Sequence, residues 1–191
     1  GKWIVLVAAS MGLFLGSLDI TVNVALPDIT RGFSLDVQTV QWIIIFYVGS
    51  TTGLQLSLGS AADTYGLKRF YILGLIVYTL AVLLIGLAPT FPAVLGLRVL
   101  QALGVGLIMA SAPALVTKAF PPQEIGKGLG LMGGIAMLGG IVGTLGGGVL
   151  VDSFGWRAIF VARIPMGAVA IVLAFATLRE QPSDGARSTF D

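Results

Sequence analysis

The 191-residue chain contains no cysteine and no histidine. It therefore has no thiol nucleophile, no disulfide and none of the His or Cys ligands that hold zinc in proteins. Only 10% of its residues are charged, against roughly 25% in an ordinary soluble domain. The net charge of +2 comes from scattered basic residues, so no nucleic-acid-binding surface is predicted. We expect neither a cofactor nor a metal site.

What the chain has in abundance is apolar sequence, with 56% hydrophobic residues and a mean hydropathy of +0.98. A bilayer core about 30 Å thick needs roughly 20 apolar residues for each helical span. By that measure the sequence predicts six spans, with the first closed by Pro27. They cover about 3–26, 37–62, 70–88, 91–120, 125–151 and 158–178. Residues 1–178 would form one all-α transmembrane domain, and residues 179–191 a polar cytoplasmic tail or linker.

A short charged turn lies between the second and third spans, and a similar turn recurs between the fifth and sixth. The stretch Gly59 to Arg69 recurs at an offset of 89 residues in Gly148 to Arg157. The equivalent positions are Gly59 and Gly148, Asp63 and Asp152, Gly66 and Gly155, and Lys68 and Arg157. Because each copy belongs to three spans, the second triplet is expected to be inverted in the membrane relative to the first. The sequence thus predicts two inverted three-helix repeats.

Loop charges predict the orientation of these spans. With a cytoplasmic amino end, Lys2, Lys68, Arg69, Lys118, Lys127, Arg179 and Arg187 lie inside, and Arg31, Arg157 and Arg163 lie at the outside. This excess of bases on the inner side favours both ends of the chain being cytoplasmic.

Asp19 and Arg98 are ionisable residues well inside apolar runs. Each costs several kcal/mol in the bilayer core unless it is paired or hydrated. Both fall in the outer half of their spans, so a direct or water-bridged contact is feasible, with Asn23 and Gln101 one turn away on the same faces. One interpretation is a proton or substrate site in which Asp19 takes up and releases a proton in each cycle. The alternative is a purely structural pair.

The first charged turn is a candidate cytoplasmic latch formed by Gly59, Asp63, Gly66, Lys68 and Arg69. In this interpretation Asp63 caps a neighbouring helix and pairs with bases, holding one conformation closed. The two glycines would allow close approach and a tight turn. The alternative is that these charges only mark the inner membrane surface.

The fifth span has glycines at four-residue spacing, Gly139, Gly143 and Gly147, which form a smooth face for a neighbouring helix. That face serves either tight packing or a hinge. Arg163, near the outer start of the sixth span, is interpreted as a side chain that reaches the lipid headgroups. The alternative is a cavity-facing contact with an anionic group. Gln41, Tyr47 and Gln55 on the second span are candidates for lining a cavity.

Five stretches in chain order resemble motifs of the major facilitator superfamily, and in particular the amino-terminal six-helix half of its fourteen-helix drug:proton antiporter branch. They are residues 18–27, 59–69, 98–104, 139–148 and 156–160, the last followed by Pro165. The sequence departs from these motifs at four places. The spacing between Thr21 and Asn23 is one residue short, and Thr64 and Leu67 stand where the motif has basic residues. Thr144 replaces a proline, and Arg163 replaces a neutral polar residue.

The resemblance implies a multidrug-type exporter of the prokaryotic plasma membrane that moves a small organic solute against protons by alternating access. It also implies a second six-helix domain, supplied by the same longer chain, by a second copy or by another subunit. The competing hypothesis is a non-transporting helical subunit that scaffolds a larger membrane complex. An enzyme is not predicted, because the sequence offers no nucleophile–base pair and no metal-ligand set.

Overall fold

The computed structural model describes residues 1–179, apart from the side chains of Leu56, Ser60 and Asp63. The described chain is helical throughout, with short connections. Its α-helices are α1 (Lys2–Ser17), α2 (Thr21–Phe33), α3 (Val37–Val40), α4 (Trp42–Tyr65), α5 (Leu67–Leu87), α6 (Phe91–Ala119), α7 (Ile125–Phe154), α8 (Ala158–Val161) and α9 (Arg163–Thr177). Two 3₁₀ segments, Leu18–Ile20 and Pro122–Glu124, precede α2 and α7. The predicted tail lies outside the described residues from position 180 onward.

The first span runs through Pro27 instead of ending there, so the predicted stop was wrong. Proline lacks an N–H and breaks helices in water, but a membrane bundle tolerates it where neighbouring groups satisfy the freed carbonyl. The helix ends at Phe33, where Ser34 takes a left-handed conformation with φ of 53°. The Ser34 and Leu35 N–H groups then bond the Arg31 and Thr30 carbonyls at 3.2 and 3.1 Å, which is a Schellman cap.

Within the described residues, five helical stretches are long and apolar enough to cross a membrane: Lys2–Phe33, Leu67–Leu87, Phe91–Ala119, Pro122–Phe154 and Ala158–Thr177. The all-helical membrane fold is thereby confirmed. The 24-residue α4 contains three side chains outside the description, so these spans do not test it. A sixth span at α4 stays a prediction.

The two charged turns have the same backbone conformation. Gly66 and Gly155 both have positive φ, 102° and 82°, a region that glycine occupies without steric cost. Each donates its N–H to the carbonyl four residues earlier, Gly66 to Ala62 at 3.1 Å and Gly155 to Val151 at 2.8 Å. Because these glycines are equivalent in the sequence repeat, the repeat extends to local structure.

Helix packing follows the same repeat. The α1 helix packs against α7 and α9, while α6 packs against α4 and α5. Exchanging the two triplets converts one set of neighbours into the other, as an inverted repeat requires. Across the centre, α5 contacts α9 and is tied to α1 by Tyr78, whose hydroxyl donates to the Leu15 carbonyl at 2.8 Å. Together these contacts bring α1, α6 and α9 next to one another at the centre of the bundle.

The connections on either side of α4, α5 and α6 provide a test of orientation and of the sixth span. Ser34 and Gln123 are exposed and separated by these three helices. We expect Ser34→Cys to react with a membrane-impermeant maleimide on intact cells, and Gln123→Cys to react only after permeabilisation. The chain contributes no cysteine background to this experiment. Reaction of both positions on the same side would show that α4 does not cross the membrane.

Candidate functional site

Asp19 lies where the first span loses its α-helical geometry. The Leu18–Ile20 segment is a 3₁₀ turn between α1 and α2, and Asp19 is buried within it. A 3₁₀ turn inside a long helix often marks a functional hinge. The Leu18 carbonyl at this break accepts hydrogen bonds from the Thr21 hydroxyl and from Arg163 Nη2, the latter at 2.8 Å. The sequence analysis did not predict this break.

Three side chains from two other spans meet at Asp19. Arg98 Nη1 donates to Asp19 Oδ1 at 3.0 Å, and Arg163 Nη1 donates to the same oxygen at 2.6 Å. Gln101 Nε2 bonds Oδ1 and Oδ2 at 3.0 and 2.9 Å, and Gln101 Oε1 accepts from Arg98 Nη1 at 2.6 Å. The predicted contact between Asp19 and Arg98, with Gln101 beside it, is present. We call Asp19, Arg98, Gln101 and Arg163 the ionic cluster.

The ionic cluster is shielded from solvent. The side chains of Asp19, Arg98 and Arg163 are 6%, 1% and 3% exposed. Removing one partner of such a buried pair typically destabilises a protein by about 3–5 kcal/mol, because the remaining charge is left uncompensated. Of the direct or water-bridged contact that the sequence analysis allowed, the structure has the direct one, buried from solvent.

The interpretation of Arg163 as a headgroup-reaching side chain was wrong. It is 2% exposed and points at Asp19. The physical reason is the short α8, which takes up the first residues after the charged turn and lets α9 begin inside the bundle. In the structure Arg163 pairs with the Asp19 carboxylate, and the alternative, a cavity-facing contact with an anionic group, stays a prediction. The position of Arg163 along the sequence gives its approximate depth in the membrane, but it cannot show that the short α8 precedes α9.

Asn23 was predicted to share the Asp19 site, but the structure places it on the exposed side of α2. The 3₁₀ segment accounts for the difference. Its residues advance by about 120° each, against about 100° in an α-helix, so α2 is rotated relative to the face that carries Asp19. Asn23 therefore does not belong to the ionic cluster.

A cavity of about 430 Å³ lies beside the cluster, between α1, α4, α6 and α7. Its polar lining consists of Ser17, Tyr47, Thr51, Thr52 and Gln55. The ring of Tyr47 lies over the Arg98 guanidinium, with 4.1 Å from Arg98 Cζ to the ring centroid. Tyr47 thus separates the ionic cluster from the cavity. Tyr47 and Gln55 line the cavity as predicted, whereas Gln41 is exposed and does not.

The glycines Gly139, Gly143 and Gly147 are buried on α7, against α1 and the start of α2. A Cβ at Gly139 would lie 2.6 Å from the Phe14 carbonyl oxygen, and one at Gly147 would lie 1.9 Å from Thr21 Cγ2. The Thr21 hydroxyl also bonds the Gly143 carbonyl at 3.0 Å. The predicted close packing is confirmed. A hinge or sliding role for this surface is untested.

The candidate latch is described only in part. The side chain of Asp63 lies outside the described residues, so its predicted pairing with Lys68 and Arg69 stays a prediction. Gly66 makes the tight turn that was expected, whereas a Cβ at Gly59 would meet no described atom within 4 Å. In the second copy of the turn, Arg157 Nη2 donates to the Ala88 carbonyl at the end of α5, at 3.0 Å.

Inverted helical repeats that enclose buried ion pairs beside a cavity are the architecture of one half of a secondary transporter. A search with protein-family models agrees: the model of the Major Facilitator Superfamily matches residues 3–190. The chain belongs to the Major Facilitator Superfamily, a family of transporters and not of enzymes. It is an integral membrane protein.

The chain is similar to several bacterial proteins. It is 32% identical over its whole length to the riboflavin transporter RibZ of Clostridioides difficile and covers 42% of that protein. It is 37% identical over 95% of its length to the multidrug resistance protein Stp of Mycobacterium tuberculosis, covering 34% of that protein. The methylenomycin A resistance protein of Bacillus subtilis is 31% identical over 96% of the chain, which covers 40% of it. The chain therefore spans less than half the length of these curated relatives.

Among solved structures, an inward-facing bacterial homolog of the human lysosomal transporter Spinster superposes on 95% of the chain with a TM-score of 0.79. The chain covers 44% of that protein, and the sequence identity is 24%. This likeness concerns the fold alone.

The contact between α7 and α2 generates a prediction about neighbouring glycines. Gly147→Ala should destabilise the protein by about 1–3 kcal/mol, because the new methyl group overlaps Thr21. Gly146→Ala is the matched control, since a Cβ there meets no atom within 4 Å and alanine favours helix. The apparent melting temperature of the full-length protein in detergent measures both. Equal effects of the two substitutions would contradict this packing.

Proposed function

We propose that this chain is one six-span half of a plasma-membrane transporter that exports a small organic solute by alternating access, driven by protons. Asp19 carries the proton, Arg98 and Arg163 respond to its charge, and the cavity beside Tyr47 receives the solute. Both ends of the chain lie in the cytoplasm.

The ionic cluster is the observation that carries this proposal. A carboxylate and two guanidinium groups are costly inside a bilayer, and intramembrane ionisable residues commonly mark ion or substrate pathways. Here they join three separate spans, since Asp19 lies in the first span, Arg98 and Gln101 in α6, and Arg163 in α9. A change of charge at Asp19 therefore acts on three helices at once.

The cluster has two arrangements, one with Asp19 ionised and one with Asp19 protonated. The ionised carboxylate accepts from both arginines and holds α6 and α9 against the break in the first span. The protonated group loses its charge and with it most of its attraction for the guanidinium groups. The 3₁₀ break then provides the bend, and the glycine face of α7 provides the surface along which α1 and α2 shift. Asp63, Lys68 and Arg69 are proposed to latch the cytoplasmic side.

The cavity supports a small organic solute. Its volume of about 430 Å³ lies within the usual range for small-molecule sites, and its lining combines apolar side chains with hydroxyl and amide groups. Relatives named for riboflavin, multidrug resistance and methylenomycin A point in the same direction.

A second six-helix domain is part of the proposal, because alternating access needs two bodies that rock against each other. The outer face of α7 is apolar and exposed, with Met137 at 72% and Leu145 at 70%, and the relatives are more than twice as long as this chain. The same longer chain, a second copy or another subunit would supply that domain.

The decisive experiment replaces Asp19 in the full-length protein reconstituted into liposomes. From a panel of neutral, anionic and cationic fluorescent dyes, the one that the wild-type protein accumulates fastest under a pH gradient is taken as the probe. Asp19→Asn should abolish accumulation driven by the pH gradient, because the side chain no longer carries a proton. Exchange of dye down its own gradient should persist.

Asp28→Asn is the matched control, since Asp28 lies nine residues further along the same span and pairs with Arg31 at the surface. Its dye accumulation should equal that of the wild type. Gradient-driven accumulation by Asp19→Asn would reject Asp19 as the proton carrier. If no dye accumulates and the protein copurifies with unrelated membrane subunits, the scaffolding hypothesis replaces transport.

A further inference from the structure

The buried charges of the ionic cluster do not balance. Among the side chains that the structure describes, Asp19 is the buried carboxylate, and Arg98 and Arg163 are the buried bases. With all three ionised, the cluster has a formal charge of +1. The other contacts of its arginines with described residues are neutral: the carbonyls of Ile43 and Leu18, the Gln101 amide, the Tyr78 hydroxyl, and the rings of Tyr47 and Phe160.

An unbalanced positive charge is unfavourable inside a bilayer, and neutral acceptors offset only part of its desolvation cost. Both guanidinium groups share one oxygen, Asp19 Oδ1. A second anion would restore neutrality and relieve this sharing. The shape of a guanidinium also suits such a ligand, because its planar N–H groups bind carboxylate, sulfonate or phosphate oxygens in pairs.

Both arginines lie next to open space. Arg98 sits behind the Tyr47 ring, which lines the cavity of about 430 Å³. Arg163 lines a second cavity of about 110 Å³, with Thr21, Gly143 and Gly147. Among the residues described, no charged side chain lines the larger cavity. It can therefore hold the uncharged body of a solute, while rotation of Tyr47 would expose Arg98 to the solute's charged group.

We propose that the transported solute is a small organic anion, whose negatively charged group binds Arg98 while its apolar body occupies the larger cavity. Arg163 sets this preference, because it supplies the positive charge that Asp19 does not neutralise. The inference rests on the proposed transport function and names the chemical class of its solute.

Two permanently charged probes with the same ring system test this preference. They are naphthalene-2-sulfonate and N,N,N-trimethyl-2-naphthylammonium, and their binding to the purified full-length protein is measured by calorimetry. We expect the sulfonate to bind at least tenfold more tightly than the ammonium ion. If the wild-type protein binds the two probes equally, or binds the cation more tightly, the inference is overturned.

Substitution of Arg163 assigns the preference to this residue. Arg163→Gln should reduce the ratio of sulfonate to ammonium affinity by tenfold or more, because the cluster is then neutral. Arg163→Lys keeps the charge and should retain the preference for the anion. Arg31→Gln is the matched control, since the Arg31 side chain is 75% exposed and pairs with Asp28. Loss of affinity for both probes by the same factor in Arg163→Gln would show a purely structural role and reject the assignment.

Binding is measured without a proton gradient, so the two proposals fail separately. Gradient-driven accumulation in Asp19→Asn would reject the proton mechanism and leave the charge preference standing. Gradient-driven transport by the wild type with no preference for the sulfonate would reject the anion and leave the transporter standing.

Discussion

One buried carboxylate oxygen joins the two triplets of helices at the centre of their packing. Asp19 Oδ1 accepts from Arg98, in the first helix of the second triplet, and from Arg163, in its last. In water such a pair would contribute little, but in a lipid-surrounded bundle the alternative to pairing is a bare charge in a medium that cannot solvate it. The position of the first span relative to α6 and α9 therefore depends on the charge of a single side chain.

The rest of the fold presents that carboxylate to its partners. The 3₁₀ break turns Asp19 inward, and the Leu18 carbonyl that it frees is bonded by Arg163. Beside this contact, the glycine face of α7 lets the backbone approach closely enough for Thr21 to bond Gly143. The first span is thus fixed by polar contacts with Arg163 and by backbone packing on α7, and both border the smaller cavity.

Much of this arrangement was predictable from the sequence, because repeats and hydropathy are local signals. The duplicated turn predicted two related triplets and a tight turn at Gly66, and depth along the spans made the contact between Asp19 and Arg98 feasible. Arg163 and Asn23 were not placed correctly. Their positions depend on where α9 begins and on the rotation introduced by the 3₁₀ segment, and both result from tertiary packing and leave no periodic signal. The departure of Arg163 from the family motif was the one sequence clue to its role.

The most direct test of this account is a double-mutant cycle on Asp19 and Arg163, with the free energy of unfolding of the full-length protein measured in bicelles. Asp19→Asn and Arg163→Gln should each destabilise the protein. The double variant should be more stable than the sum of the single effects predicts by about 1–3 kcal/mol, because Arg163→Gln removes one of the two guanidinium charges that Asp19→Asn leaves without a carboxylate. Additive losses would show that the two side chains do not interact and would contradict the account at its central point.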